Sequence, residues 1–136
     1  MSRLYSILLV EDDQTLRASL VEILASRGLH VFAAGRGSEA VELARSLPLD
    51  FSILDMHLPE MTGLEVLRRI AREVRPLPSI MMSGNATSEE AQAALSAGAF
   101  TFLRKPLELN QFMASVESLI LHHFGRPPGM LPAPPR

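Results

Sequence analysis

The sequence contains no cysteine and no tryptophan, and only one of its 13 basic residues, Lys105, is a lysine. Without cysteine, neither disulfide bonds nor thiolate zinc sites can form. The net charge of −2 gives no electrostatic reason to expect binding to nucleic acid, so we expect no direct contact with it. No apolar run approaches the roughly 20 residues of a membrane span, and the N-terminus lacks the layout of a signal peptide. We therefore expect a cytoplasmic protein that does not insert into a membrane.

Short apolar runs alternate with segments of helical periodicity along the 136 residues. Each run is too short for a helix and suits a buried strand. The predicted strands cover residues 6–10, 29–33, 51–54, 79–82 and 100–103. Strands that alternate with helices in this way predict one α/β domain, in which a doubly wound parallel sheet has right-handed crossovers and helices on both faces.

Capping side chains mark four of the predicted helix starts. They are Asp13, Ser38 and the pairs Thr62–Glu65 and Thr87–Glu90, and both pairs have the spacing of a capping box. The helix after Thr87 is rich in alanine, so we expect it to be loosely held and available to a partner. Residues 1–124 form the predicted domain, and residues 125–136, which hold five of the ten prolines, form a predicted flexible tail.

Carboxylates follow two of the predicted strands at the point where each strand ends. The first strand runs into Glu11 and Asp12, and the third runs into Asp55, before a turn that contains Pro59 and Gly63. Open parallel sheets bind ligands at the carboxyl ends of their strands, although Asp55 could also be an ordinary turn aspartate. If the two strands are neighbours, the three acids converge and either raise their pKa values or hold a cation. Such an all-oxygen site predicts Mg²⁺, and the alternative is a solvated acidic rim without an ion.

Two further groups can reach the same cleft, because Ser83 follows the fourth predicted strand and Lys105 follows the fifth. A lysine ammonium suits a phosphoryl group or a carboxylate, and a serine hydroxyl can donate to a phosphoryl oxygen. Ser83 could instead bond its own backbone as a turn residue. A carboxylate nucleophile, a divalent cation, a lysine and a hydroxyl together define a phosphoryl-transfer site, in which Asp55 attacks in line and becomes an acyl phosphate.

The residues of this cleft resemble the receiver domain of two-component response regulators. The resemblance covers roughly residues 4–124 in the family's order and spacing, and it is carried by segments 7–13, 54–63, 82–84 and 97–106. Each segment is weak evidence by itself, but the four together are highly specific. The resemblance implies a five-stranded sheet of order 2-1-3-4-5 with five helices, which is a flavodoxin-like architecture.

The resemblance also implies roles for the acidic residues. Asp55 is similar to the phospho-acceptor that is served by a sensor histidine kinase or a histidine phosphotransfer protein. Glu11 and Asp12 resemble the acidic pair that binds Mg²⁺ together with Asp55. In that comparison Asp12 is a direct ligand, and the main-chain carbonyl of His57 is another.

Other positions match the family's conformational switch. Ser83 matches the switch hydroxyl, where threonine is commoner, and Phe102 matches the aromatic residue that turns inward on activation. The resemblance implies a cis Lys105–Pro106 peptide bond. His57 and Asn85 occupy the variable positions that tune the lifetime of the phosphoryl group, and we expect the His57 ring to be an exposed loop side chain.

The implied function is a phosphorylation-dependent switch, not an enzyme that turns over an external substrate. Only twelve residues follow the last predicted helix, too few for a DNA-binding module, so we expect output through a downstream protein or a phosphorylation-dependent dimer. The expected contact surface is the face formed by helix four, strand five and helix five. The alternatives are a phosphorelay intermediate, a phosphate sink and the receiver fragment of a longer regulator. A phosphohydrolase is disfavoured because the segment Asp55-x-His57 lacks a second aspartate.

Overall fold

A computed structural model describes residues 4–85 and 87–125 of the chain. The strands in these ranges are β1 (Ser6–Val10), β2 (His30–Ala34), β3 (Phe51–Asp55), β4 (Ser79–Ser83) and β5 (Thr101–Arg104). The helices are α1 (Gln14–Ser26), α2 (Gly37–Ser46), α3 (Gly63–Glu73), α4 (Ser88–Ser96) and α5 (Leu109–Phe124). Within these ranges no helix has the length and apolar character needed to cross a membrane. The predicted tail lies outside the described residues, apart from Gly125.

The described strands form one parallel sheet in the order β2-β1-β3-β4-β5. This order confirms the predicted five-stranded, doubly wound architecture. Every residue of β3 and β4 is buried. Central strands of a parallel sheet are covered by helices on both faces, so their sequences are mostly apolar throughout and do not alternate with polar residues.

Two hydrophobic cores lie on opposite faces of the sheet. The neighbouring residues Leu8 and Leu9 of β1 belong to different cores, because successive side chains of a strand point to opposite faces. Leu24 of α1 and Phe112 of α5 pack in one core, and Val66 of α3 packs in the other. The helices therefore cover both faces and leave the carboxyl edge of the sheet open to loops.

The start of α2 differs from the sequence prediction. Ser38 lies inside the helix, which begins at Gly37, and the preceding Arg36 makes no side-chain capping hydrogen bond. A Cβ atom on Gly37 would lie 2.4 Å from the Cγ atom of Met61, so the start of α2 is packed tightly against a side chain of the β3–α3 loop. The predicted Ser38 cap is wrong because the helix begins one residue earlier, and at its start the Glu39 carboxylate accepts from the Gly35 amide at 3.1 Å.

The capping predictions for α3 and α4 have different outcomes. The Thr62 hydroxyl accepts a hydrogen bond from the Glu65 amide at 3.1 Å, and the Glu65 side chain completes the predicted capping box. The Thr87 hydroxyl likewise accepts from the Glu90 amide at 3.1 Å, but the Glu90 carboxylate bonds to other groups. The second capping box is therefore only half formed. In α4 only Ala94 is buried, so little apolar contact holds this helix on the sheet.

Candidate functional site

Asp55 is the last residue of β3, and it lies at the carboxyl edge of the sheet with 3% of its surface exposed. Because β1 pairs with β3, the chain leaving β1 brings Glu11 and Asp12 to the same edge. The Glu11 amide donates to the carbonyl of Ala34, which continues the β1–β2 ladder by one residue. Glu11 is fully buried at this position. The two acidic segments, more than 40 residues apart in sequence, thus meet as the strand order requires.

Lys105 connects two of these carboxylates. Its Nζ atom lies 2.5 Å from Glu11 Oε1 and 3.1 Å from Asp55 Oδ2. The Lys105 amide donates to the carbonyl of Ser83 at 2.9 Å, so the lysine extends the β4–β5 ladder before its side chain turns toward β3. The Lys105–Pro106 peptide bond that follows is cis. The one lysine of the sequence therefore lies at the centre of the acidic cluster.

Burial and pairing act in opposite directions on the ionisation of this cluster. Burial raises the pKa of Glu11, and hydrogen bonds from Lys105 and from the Asp13 amide offset this effect only in part. Burial alone would lower the pKa of Lys105, but its hydrogen bonds to Glu11 and Asp55 outweigh that effect and raise the pKa. Lys105 therefore stays protonated at neutral pH and supplies a fixed positive charge beside Asp55.

The acidic cluster fits a hard divalent cation. One oxygen from each of Glu11, Asp12 and Asp55 lies within 4.8 Å of the other two. Lys105 offsets only part of the negative charge, and oxygen donors favour Mg²⁺ over metals that prefer thiolate or imidazole. Glu11 already accepts hydrogen bonds from Lys105 and from the Asp13 amide, whereas Asp12 is exposed. Asp12 is therefore the acid with more freedom to act as a direct ligand.

The loop after β3 holds the main chain of His57 against Asp55. The His57 amide donates to Asp55 Oδ1 at 3.1 Å, and His57 pairs with Thr62 across an isolated antiparallel bridge. The Gly63 amide closes the same turn by donating to the carbonyl of Met56 at 2.9 Å. The backbone beside the carboxylate is thus fixed by several hydrogen bonds. Metal binding through the His57 carbonyl stays a prediction.

Ser83 lies at the end of β4 and is fully buried. Its hydroxyl donates to Glu90 Oε1 at 2.6 Å and accepts from the Asn85 amide at 3.1 Å. The other predicted switch residue, Phe102 of β5, is partly buried and packs against the core that contains α3. Ser83 and Phe102 thus lie on neighbouring strands, and their switching roles stay predictions.

The family model of the response regulator receiver domain matches residues 7–117. The chain is a response regulator receiver domain. It is 30% identical over 114 residues to the cell cycle response regulator CtrA of Brucella ovis, an alignment that covers 84% of this chain and 49% of that protein. The chain therefore spans about half the length of the curated relatives it matches.

Solved receiver structures share the fold of this receiver domain. The non-phosphorylated HemR receiver domain of Leptospira biflexa is 30% identical, with a TM-score of 0.80, and the match covers 97% of this chain and 99% of that one. The CheX–CheY–BeF3–Mg²⁺ complex of Borrelia burgdorferi contains a chain that is 28% identical, with a TM-score of 0.80 and coverages of 85% and 89%. Phosphorylation and Mg²⁺ binding at an acidic pocket are properties of this family.

Two contacts that shape the site of this receiver domain were not predicted from its sequence. The guanidinium of Arg17 on α1 donates to the Glu11 carbonyl at 2.8 Å and so braces the loop that carries the acidic pair. The Glu90 carboxylate contacts both Ser83 and the His57 ring, with His57 Nε2 2.7 Å from Glu90 Oε2. The His57 side chain is 51% exposed, which confirms the predicted exposed loop histidine, and Glu90 is a partner of its ring that the sequence did not predict. Arg17 carried no signal in the sequence, and Glu90 carried only that of a capping box.

Proposed function

We propose that Asp55 accepts a phosphoryl group from a sensor histidine kinase or a histidine phosphotransfer protein, and that the acyl phosphate changes which downstream protein the domain binds. The observation that carries this proposal is the Lys105 ammonium between the buried carboxylates of Glu11 and Asp55. A lysine in this position can pair with a carboxylate before the reaction and with a phosphoryl oxygen after it. Family membership supports the same chemistry.

Each group of the site has a separate part in the proposed transfer. A carboxylate oxygen of Asp55 attacks phosphorus, the phosphorus–nitrogen bond of the phosphohistidine breaks, and the imidazole leaves with the bond's electron pair and takes up a proton. Mg²⁺, when bound by Asp12, Asp55 and the His57 carbonyl, supplies positive charge to the phosphoryl oxygens. Lys105 supplies a second positive charge, and the His57 amide orients Asp55 by donating to Oδ1. Glu11 holds the Lys105 ammonium in place.

The acyl phosphate adds negative charge and acceptor oxygens beside Ser83 and Lys105. Ser83 ends β4 and Lys105 begins the β5–α5 loop, so we expect a change at these residues to reach α4, β5 and α5. Phe102 on β5 is partly buried against the core that contains α3, and we propose that its ring packs further inward on activation. We propose that the face formed by α4, β5 and α5 carries the output to a partner protein or a second copy.

The direct test is incubation of the protein with acetyl phosphate and Mg²⁺ followed by intact-mass analysis. We expect one phosphoryl adduct per chain. Removal of Mg²⁺ with EDTA should lower adduct formation at least about tenfold, because the carboxylates and the incoming phosphate then repel one another without a cation. Wild-type protein that gains no adduct in the presence of Mg²⁺, or gains it equally in EDTA, would count against the proposal.

Replacement of Lys105 by alanine separates phosphorylation from the response. We expect the Lys105→Ala variant to form a detectable adduct still, because Asp55 and the metal ligands remain. The amide NMR shifts that phosphorylation causes in α4 should be mostly lost, since no ammonium links the phosphoryl group to the loop after β5. Lys105→Arg, which retains the charge, is the matched variant. An α4 response in Lys105→Ala equal to that of wild type would contradict this role.

A further inference from the structure

The carboxylate of Glu90 joins the switch hydroxyl to the loop after the phospho-acceptor. Its Oε1 atom accepts from Ser83 Oγ at 2.6 Å, and its Oε2 atom lies 2.7 Å from Nε2 of His57. Only 20% of the Glu90 side chain is exposed. We call this pair of contacts the Glu90 bridge. It connects β4, the β3–α3 loop and the first turn of α4 through one side chain.

The Glu90 bridge is not needed for helix capping. The cap of α4 is made by the Thr87 hydroxyl, which accepts from the main-chain amide of Glu90. The Thr87 amide, which a complete capping box would leave to the Glu90 carboxylate, donates instead to the carbonyl of Asn85 at 2.9 Å. The Glu90 carboxylate therefore takes no part in capping α4, and we expect replacement of the Glu90 side chain to leave the cap intact.

A serine hydroxyl has one proton to donate. In the structure, Ser83 gives that proton to Glu90 and uses an acceptor site for the Asn85 amide. Ser83 cannot donate to Glu90 and to a phosphoryl group on Asp55 at the same time. A hydrogen bond to a charged carboxylate is stronger than one between neutral groups, so breaking the Ser83–Glu90 bond has a cost that the phosphoryl group must offset.

We propose that Glu90 is a positioning residue that holds Ser83 in its resting orientation, and that the Glu90 bridge sets how readily the domain adopts its activated state. This inference rests on the proposed function, because it concerns the response to a phosphoryl group on Asp55. The new negative charge on Asp55 repels the Glu90 carboxylate while it attracts the Ser83 proton. Release of Glu90 detaches the first turn of α4 from β4 and from His57, which couples the site to α4.

The test is the affinity of the full chain for beryllofluoride in the presence of Mg²⁺, measured by NMR titration. Loss of one charge-assisted hydrogen bond from the resting state predicts that Glu90→Ala binds beryllofluoride more tightly than wild type, by roughly tenfold or more. The matched control is Glu89→Ala. Glu89 is the neighbouring, exposed acid of the same helical turn, so both variants lose one first-turn charge that favours the helix dipole. Glu89→Ala should stay within about twofold of wild type.

Two further variants distinguish the hydroxyl from a simple charge effect. In a Ser83→Ala background there is no proton to release, so the gain from Glu90→Ala should disappear in a double-mutant cycle. Glu90→Gln retains an amide oxygen that accepts the Ser83 proton, and its affinity should return most of the way to the wild-type value. An unchanged or weaker affinity of Glu90→Ala, or an equal gain in the Ser83→Ala background, would overturn the proposal.

A ligand-free measurement separates this inference from the proposed function. The Asn85 amide donates to Ser83 Oγ, so its NMR resonance should shift in Glu90→Ala without any added ligand and should not shift in Glu89→Ala. If wild type fails to bind beryllofluoride, the proposed function is wrong even when this shift is present. If wild type binds and the Asn85 resonance does not shift, the Glu90 bridge is wrong and the proposed function stands.

Discussion

Replacement of Asp55 by asparagine is expected to abolish the phosphoryl adduct that acetyl phosphate and Mg²⁺ produce in wild type. An asparagine amide has no anionic oxygen to attack phosphorus, so the loss should be complete and not partial. The fold should persist, because the asparagine carbonyl oxygen can still accept one of the two hydrogen bonds that reach the Asp55 carboxylate, the one from the His57 amide or the one from Lys105. Intact-mass analysis of both proteins after the same incubation measures the effect.

Asp50→Asn is the matched control for this prediction. Asp50 precedes β3 at the opposite end of the strand, where its Oδ2 accepts from the Ser6 amide at 2.8 Å. An asparagine at position 50 can make the same hydrogen bond, so this variant should form the adduct at the wild-type level. An adduct of equal amount in Asp55→Asn would show that another residue accepts the phosphoryl group, which would contradict the proposed role of Asp55 as phospho-acceptor.

Replacement of Gly63 by alanine is expected to lower the free energy of unfolding by about 2 kcal/mol or more. A Cβ atom at this position would lie 2.1 Å from the backbone oxygen of Asp55 and 2.9 Å from its carbonyl carbon. Backbone at the end of a buried central strand cannot move away as a flexible side chain could, so α3 or Asp55 itself must shift. The substitution therefore strains the scaffold that positions Asp55.

The sign of this effect distinguishes packing from helix propensity. Gly63 begins α3, and glycine to alanine in a helix ordinarily stabilises by roughly 0.5–1 kcal/mol. The matched control is Gly84→Ala, since the nearest atom to a Cβ there is the Lys105 Cβ at 4.0 Å, an ordinary contact. Urea denaturation followed by circular dichroism should show a large loss for Gly63→Ala and a change within about 0.5 kcal/mol for Gly84→Ala. A Gly63→Ala variant as stable as wild type would contradict the close approach.

The capping-box spacing predicted all the capping hydrogen bonds at the start of α3 but only one of the two at the start of α4. At α3 the pair Thr62–Glu65 forms the capping box that its spacing predicts, because both side chains are exposed and have no stronger partners. At α4 the Thr87–Glu90 pair has the same spacing, yet the Glu90 carboxylate bonds to Ser83 and His57. Local sequence specifies which hydrogen bonds are possible. Groups that the fold brings near decide which of them form.

The sequence by itself determined the strands, their parallel direction and the candidate residues at their carboxyl ends. Short apolar runs are enough for this, because a central parallel strand is buried on both faces and its end must lie at the functional edge of the sheet. The presence of Asp55 at one strand end and Lys105 after another could therefore be predicted without coordinates. The strand order needed the family resemblance, since periodicity alone does not say which strands are neighbours.

Only the tertiary structure decided how those residues are paired. The contact of Lys105 with Glu11 joins residues 94 positions apart, and its distance depends on how β4 separates β3 from β5. The contact of Arg17 with the Glu11 carbonyl and the Glu90 bridge likewise depend on how α1 and α4 pack against the sheet. Hydrogen bonds and ion pairs form only at short range and in particular directions. The pattern of strands and helices in the sequence can therefore place a residue at the site, but it cannot specify which group its side chain bonds.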